Sequence, residues 1–244
     1  MALHPYYQAA IEVLKRIEET QASVMDAAAQ AVFLSLKEGG VLNVFATGHS
    51  SLVAQEAFHR AGGLVPVNPI LEPFLSPLIS PRKSGGLERI AEIAAVLMDY
   101  YQLLSGEVLI IISNSGINSL AVEMGLAAKR KGLTLVAITS LAHSRGVDSR
   151  HISGNKLYQI ADPVIDNCGQ LGDAALSYPE LSEKIAPTST LAGIFIINRI
   201  VCQVVEAYLS QGLVPPVYLS ANIPGGQEHN RNLEQQYRER IKLL

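Results

Sequence analysis

The chain has 244 residues, of which 48% are hydrophobic and 17% are charged. This composition supplies ample material for a hydrophobic core and excludes a disordered polypeptide. Nineteen Lys and Arg residues against 22 Asp and Glu residues give a formal net charge of -3, which lacks the cationic surplus of nucleic-acid-binding proteins. We therefore predict one α/β domain over residues 1–244 and no nucleic-acid partner.

The sequence also indicates where the protein resides. No apolar run approaches the roughly 20 residues that cross a bilayer, and the start MALHPYYQAA lacks a basic segment followed by an apolar one. We expect a cytoplasmic protein with no membrane partner. The two cysteines, Cys168 and Cys202, lie outside any CxxC motif, so we expect two buried, reduced thiols and no disulfide framework.

A long helix is the first predicted element and occupies most of an N-terminal region, 1–40. Apolar residues recur every seven positions from Leu3 to Ala31, which predicts a helix over 3–37 that ends at Gly39 and Gly40. A helix of this length exceeds what one small sheet can cover. Part of its apolar stripe is therefore expected to contact another subunit in a homodimer.

Residues 41–212 alternate short apolar runs with amphipathic segments, the pattern of parallel strands joined by crossover helices. Pro66 and Pro69 remove ladder donors from the second run, which indicates an edge strand. The segment 72–86 is too rich in Pro and Gly for a regular element, and we predict a binding loop or subunit contact. The predicted strands are 41–46, 64–71, 108–112, 133–139 and 163–167; the predicted helices are 51–61, 87–101, 118–131 and 188–209, with a polar tail over 213–244 that turns helical from about His229.

Hydroxyl-rich turns follow two of the predicted strands, at 47–51 and 113–116. Ligands of open parallel sheets collect at the carboxyl ends of strands, where helix N-termini offer free N–H groups, and Ser and Thr hydroxyls add neutral donors for an anion. A third cluster, 188–190, opens the apolar helix. Such residues also cap helices that bind nothing, but two clusters at strand ends, each with a glycine, favour a phosphate site.

Several common sites are disfavoured by the absence of their motifs from the sequence. It contains no GxxxxGK[ST] loop, no GxGxxG loop with an acidic partner, and no GxSxG elbow, which argues against an NTPase, an NAD enzyme and a serine hydrolase. The six histidines show no ligand-like spacing. We therefore expect neither a metal nor a cofactor.

Four segments carry a resemblance to a known family: Thr47-Gly48-His49-Ser50, Ile112-Ser113-Asn114-Ser115-Gly116, Ile138-Thr139-Ser140 and Thr188-Ser189-Thr190. Together they resemble the sugar isomerase (SIS) domain family over about residues 41–209, and within it the stand-alone phosphoheptose-isomerase-like proteins. The resemblance implies a Rossmann-like, three-layer α/β/α sandwich with a five-stranded parallel sheet, a homodimer or homotetramer, and a sugar phosphate as ligand.

The resemblance also implies which residues hold the phosphate. They are Ser50, Ser51, Ser113, Asn114, Ser115, and Ser189 or Thr190, and the wider predicted binding set adds Thr47, Gly48, His49, Gly116, Asn118, Thr139, Ser140 and Thr188. Members of the family isomerise aldose and ketose phosphates, cleave a sugar ether, or only sense the ligand. We take an aldose–ketose isomerase working through an enediol as the first candidate function. A non-catalytic sensor and an amino-sugar phosphate ether lyase remain as alternatives.

Isomerisation needs a base that moves a proton between C1 and C2 and a donor that steadies the enediolate oxygen. Glu56 and His59 would share a face of the predicted helix 51–61 and supply both. Related isomerases tend to carry the glutamate about one turn later, near Arg60, and a solvated salt bridge or a subunit seam are the alternative roles. His229 is the third catalytic candidate, since the tail could reach a neighbouring site. Glu72 and Glu88 are further candidates, with solvated surface as their alternative.

Overall fold

The long predicted helix at the N-terminus is confirmed in the computed structural model, which describes residues 3–244. Helix α1 spans Pro5–Lys37, and its first turn is capped by His4, whose Nδ1 accepts from the Tyr6 N–H. It ends where Gly39 adopts a φ of 82°, a conformation that glycine takes without steric cost. The buried face of α1 packs chiefly along the apolar helix near the C-terminus.

Five parallel strands form one sheet, as the alternating pattern predicts. They are β1 (Leu42–Ala46), β2 (Val67–Ile70), β3 (Val108–Ile112), β4 (Thr134–Thr139) and β5 (Val164–Asp166), in the order β2-β1-β3-β4-β5. The edge position of β2 agrees with its proline, Pro69. Because the chain leaves β1 toward one edge and β3 toward the other, the topological switch point lies between β1 and β3, where open α/β sheets bind ligands.

Helices cover both faces of this sheet and complete the three layers. One face packs against α1, α2 (Ser51–Ala57) and α8 (Ser189–Ser210), and the other against α4 (Ile93–Tyr100), α5 (Ser119–Arg130) and α7 (Leu157–Ile160). Strand residues alternate between the layers: Val108, Ile110 and Ile112 face the first, and Leu109 and Ile111 the second. Burial on both faces explains the continuous apolar run of β3. The remaining helices are α3 (Pro81–Leu87), α6 (Leu141–Arg145) and α9 (Gly226–Glu234).

Some predicted boundaries are wrong. The segment 72–86 is not irregular, because it holds a 3-10 turn over Pro73–Leu75 and the start of α3. Pro81 fits there because the first helical turn needs no N–H from it, and Ser80 caps the turn by accepting from the Lys83 N–H at 3.3 Å. The helix predicted over 87–101 begins only at Ile93, and α9 begins at Gly226 rather than near His229.

Helix α2 ends earlier than predicted, at Ala57 instead of residue 61. Phe58 is extended and His59 has a φ of 46°, so the chain leaves the helix before the second predicted catalytic residue. The cysteine prediction is half wrong: Cys168 is buried, whereas Cys202 is exposed on α8.

Helix α8 is both long and apolar. By length and composition alone it could cross a membrane, a test that core helices of soluble proteins also pass. One of its faces packs against α1 and α2 through residues such as Ile196, Ile200 and Val204. Apolarity in this helix is therefore partly accounted for by burial within the fold.

Candidate functional site

A cavity of about 550 Å³ opens at the carboxyl edge of the sheet, above the switch point between β1 and β3. Both predicted hydroxyl-rich turns contribute to its wall. The rest comes from the two residues before α5, from the residue after α3, and from α6 and the loop that follows it. Its polar lining consists of Thr47, His49, Ser50, Glu88, Ser113, Asn114, Ser115, Asn118, His143, Asp148 and Arg150, and Gly48 supplies backbone.

The turn after β1 is shaped by Gly48, whose φ of 58° lies in the left-handed region. Ser51 closes this turn, since its hydroxyl donates to the Gly48 carbonyl at 2.8 Å. The Thr47 hydroxyl donates to Glu88 Oε2 at 2.8 Å and thereby links the turn to the end of α3. Ser50 and His49 line the cavity, while Ser51 is buried and faces a smaller neighbouring cavity.

The turn after β3 is held by hydrogen bonds within the turn and to the residue that follows β4. Ser113 Oγ accepts from the Gly116 N–H at 3.2 Å, and the Asn114 carbonyl accepts from the Ser140 N–H at 3.0 Å. Gly116 has a φ of 62°, and a Cβ there would lie 3.1 Å from Thr139 Oγ1, so a side chain is disfavoured on both counts. The result is a rigid turn with the side chains of Asn114 and Ser115 at the cavity.

The structure places Thr139 and Ser140 behind the wall of the cavity. Both are fully buried; the Thr139 hydroxyl donates to the Asn114 carbonyl at 3.2 Å and the Ser140 hydroxyl to the Gly169 carbonyl at 2.7 Å. Since their hydroxyls already have protein partners, these two residues support the turn after β3 and do not line the cavity.

The hydroxyl cluster at the start of α8 lies outside the cavity. Asp173 Oδ1 accepts from the N–H groups of Thr188 and Ser189 at 3.2 and 2.9 Å, and its Oδ2 accepts from the Ser189 hydroxyl. An aspartate therefore holds the position that an anion would take at this helix N-terminus. Thr190 follows in the first turn of α8 and is also absent from the cavity lining.

The three predicted catalytic residues lie away from the cavity and from its lining. Glu56 pairs with Arg60 and accepts from Asn198 Nδ2 at 3.4 Å, His59 pairs with Glu234 at 3.1 Å, and His229 contacts the Val217 carbonyl at 3.0 Å. The prediction that Glu56 and His59 share a helical face is wrong, because α2 ends at Ala57.

Other ionisable side chains line the cavity instead: Glu88, His49, His143, Asp148 and Arg150. Glu88 was a candidate on sequence, and the structure brings it to the first turn. His143, Asp148 and Arg150 were missed. The signal that could have found them is their position directly after β4, at the same edge of the sheet as the two turns.

Arg150 reaches the cavity from a loop that docks onto the start of α5. Its N–H donates to the Ile117 carbonyl at 3.0 Å, its carbonyl accepts from the Ser119 hydroxyl at 2.7 Å, and its Nη1 donates to Asn118 Oδ1 at 2.6 Å. Because both backbone and side chain are held, the guanidinium is a fixed cation at the cavity wall.

The next residue, His151, anchors the same loop. Its side chain is buried and contacts Glu123 Oε2 at 3.0 Å, and Glu123 also pairs with Arg130 at 2.6 Å. Burial alone would raise the pKa of Glu123, but the hydrogen bonds from Arg130 and His151 lower it overall. The ionised carboxylate is therefore favoured at this anchor.

Glu72 lines a separate cavity of about 250 Å³ beside the first turn, together with Ser51 and Gln55. The Tyr101 hydroxyl donates to Glu72 Oε1 at 3.1 Å. Burial, followed by the charge of Glu72, raises the pKa of Tyr101, so the phenol stays protonated and keeps this carboxylate partly occupied. Over residues 3–244, no group of three or more His, Cys, Asp or Glu side chains is placed to hold a metal ion.

A doubly wound α/β protein with a hydroxyl-lined cavity at its switch point is the class that fold and site define. A family model described as the SIS domain matches residues 5–140, more than half of the chain, and the chain belongs to that family. It is 41% identical over 242 residues to a UPF0309 protein of Geobacillus thermodenitrificans, with 98% of this chain and 96% of that protein covered.

Solved structures agree with the fold at low sequence identity. The phosphoheptose isomerase of Neisseria gonorrhoeae is 13% identical with a TM-score of 0.55, covering 82% of this chain and 95% of that one. The NanR protein of Vibrio vulnificus, solved in complex with ManNAc-6P, is 14% identical with a TM-score of 0.50, covering 96% of this chain and 66% of that one.

Proposed function

We propose that this protein binds a sugar phosphate, with the phosphate held between the turns after β1 and β3. The observation that carries this proposal is that both hydroxyl-rich turns line one cavity at the switch point of the sheet. Ser50, Asn114 and Ser115 offer neutral donors, and Arg150 adds a guanidinium. Hydrogen bonds to a charged group are worth about 1.5–3 kcal/mol each, so a few of them make a phosphate ester a stable ligand.

The rest of the cavity suits the sugar. Its volume of about 550 Å³ falls within the range of roughly 300–1,000 Å³ of small-molecule sites. Glu88 and Asp148 supply acceptors for sugar hydroxyls, and His49 and His143 supply groups that can donate or accept. A phosphate at one end and acceptors at the other would distinguish a phosphorylated sugar from an inorganic anion.

We extend this proposal to aldose–ketose isomerisation through an enediol. Glu88 is the best-placed base, because Thr47 fixes one of its oxygens at 2.8 Å and leaves the other for the C1–C2 proton. His49 or His143 would steady the enediolate oxygen. In a homodimer or homotetramer, as the family resemblance implies, His59 or His229 would have to act at a neighbouring subunit's cavity, since neither lines its own. The proposed compartment is the cytoplasm.

A non-catalytic sugar-phosphate sensor is the second candidate function. It is favoured by the separation of Glu56, His59 and His229 from the cavity. The likeness to NanR, whose structure contains ManNAc-6P and which covers 96% of this chain, supports a phosphorylated sugar as the ligand class for either candidate function.

The experiment incubates the protein with a panel of hexose, heptose and amino-sugar phosphates in heavy water and follows both binding and deuterium exchange at C2. Exchange supports the isomerase, binding without exchange supports the sensor, and loss of an ether substituent supports a lyase. Equal affinity for phosphorylated and unphosphorylated sugars would contradict the phosphate site itself.

A further inference from the structure

A buried asparagine behind the cavity determines what the turn after β3 presents to a ligand. Asn167 follows β5, is 3% exposed, and does not line the cavity. Its Oδ1 accepts from the Gly169 N–H at 2.9 Å, and its Nδ2 donates to Asn114 Oδ1, also at 2.9 Å. Asn114 is the residue of this pair that lines the cavity.

The direction of these two hydrogen bonds follows from backbone chemistry. A backbone N–H can only donate, so the atom of Asn167 beside Gly169 must be the carbonyl oxygen. The other end of the Asn167 amide is then the NH₂ group, and it faces Asn114. Two NH₂ groups cannot pair, so Asn114 must turn its oxygen toward Asn167.

Packing fixes the same arrangement. A Cβ at Gly169 would lie 2.9 Å from Asn167 Oδ1, closer than side chains tolerate, so glycine lets the backbone N–H approach this oxygen. The Gly169 carbonyl accepts from the buried Ser140 hydroxyl at 2.7 Å, and Ser140 N–H in turn holds the Asn114 carbonyl at 3.0 Å. The ends of β3, β4 and β5 are thus joined into one hydrogen-bonded unit.

We infer that Asn167 is a positioning residue that makes Asn114 a hydrogen-bond donor toward the cavity. With Asn114 Oδ1 engaged, its Nδ2 has no hydrogen-bond partner among residues 3–244 and remains for a ligand. A fixed donor suits a phosphate oxygen and disfavours a ligand that would need an acceptor there. This inference rests on the proposed function, because it specifies how the same cavity selects an anion.

The test is the variant Asn167→Asp, with affinity measured for inorganic phosphate and for fructose 6-phosphate. The new carboxylate would still accept from the Gly169 N–H, but its second oxygen would attract the Asn114 NH₂ and turn the Asn114 oxygen toward the cavity. We expect affinity for both probes to fall by about 10-fold or more, the scale of a hydrogen bond to a charged group. Asn167→Ala frees the Asn114 amide without reversing it, although it also removes the acceptor of the Gly169 N–H, and it should lower affinity less.

A double variant separates this effect from the new negative charge. In an Asn114→Ala background the charge of Asn167→Asp is still present but the amide is gone, so Asn167→Asp should cause little further loss of affinity. An undiminished loss in that background, or unchanged affinity of the single variant Asn167→Asp, would overturn the inference.

NMR of the unmodified protein gives a readout that does not depend on the folding of a variant. The side-chain NH₂ signal of Asn114, assigned with Asn114→Ala, should shift when phosphate is added, whereas the Asn167 NH₂ signal should stay in place. A shift of the Asn167 signal with none at Asn114 would contradict the inference. If the unmodified protein binds neither probe, the proposed function fails instead. The orientation of Asn167 is then tested by a scalar coupling across the hydrogen bond from the Gly169 N–H to the Asn167 side-chain carbonyl, and the absence of that coupling would contradict the inference.

Discussion

The starts of α5 and α8 are built from the same residue types but differ in what their polar groups contact. Before α5, the side chains of Asn114 and Ser115 reach a cavity. At α8, the hydroxyl and N–H of Ser189 and the N–H of Thr188 are all bound by Asp173. At the start of α8 the chain supplies its own anion, whereas the polar groups before α5 are left open to the cavity.

Among substitutions at the cavity between β1 and β3, Glu88→Gln has the largest expected effect. A neutral amide keeps a contact with Thr47 but cannot take a proton, so the C2 exchange rate should fall by about 100-fold or more. The matched control is Glu56→Gln, which should leave the rate unchanged because Glu56 lies away from the cavity. If exchange were lost with Glu56→Gln but not with Glu88→Gln, Glu56 on α2 would be the base. It would then have to act at the cavity of a neighbouring subunit.

Asp173→Ala tests the start of α8, where the polar groups are bound within the protein. It removes the acceptor for two N–H groups and one hydroxyl at the start of α8, so we expect the free energy of unfolding to fall by about 1–2 kcal/mol. The measurement is urea denaturation. Affinity for fructose 6-phosphate should stay the same; weaker binding would mean that α8 belongs to the ligand site after all.

Ser115→Ala tests the polar turn before α5, as Asp173→Ala tests the start of α8. We expect phosphate-ester affinity to fall by about 1 kcal/mol or more, roughly fivefold, with little change in stability. Titration calorimetry measures the affinity, and Ser189→Ala is the matched control, with unchanged affinity. The two helix starts would be functionally alike if both variants lost affinity equally.

The smallest expected effect concerns the anchor of the Arg150 loop. Because the folded-state pKa of Glu123 lies below its unfolded value, its stabilising contribution is complete above the usual glutamate pKa of about 4.3 and is lost as the pH falls through the folded-state pKa. The pair is partly exposed, so we expect less than about 1 kcal/mol. Glu123→Gln should remove this part of the pH dependence of urea unfolding; an identical profile would contradict it.

The sheet could be predicted because its strands carry local signals. The run Val108–Ile112 is apolar throughout, and Pro69 marks the edge, so strand count and edge position follow from sequence. The first part of the site was predictable for the same reason, since the turns at Thr47 and Ser113 directly follow strands.

The remaining features of the candidate site depend on contacts between residues that are distant in sequence. Asp173 closes the start of α8 from 16 residues away, and Asn167 orients Asn114 from 53 residues away, separations that no local pattern reveals. Glu56 and His59 were misplaced because nothing in the periodicity of 51–61 indicates that the helix ends at Ala57. The loop that brings Arg150 to Asn118 is held there by tertiary hydrogen bonds to residues 31 and 32 positions away in sequence.

A crystal structure of the protein with bound fructose 6-phosphate tests the central claim most directly. We predict phosphate oxygens within hydrogen-bond distance of Asn114 and Ser115 on one side and of the turn at Gly48–Ser50 on the other. A phosphate at the start of α8 or beside His59 and His229, with the cavity between β1 and β3 left empty, would contradict the account.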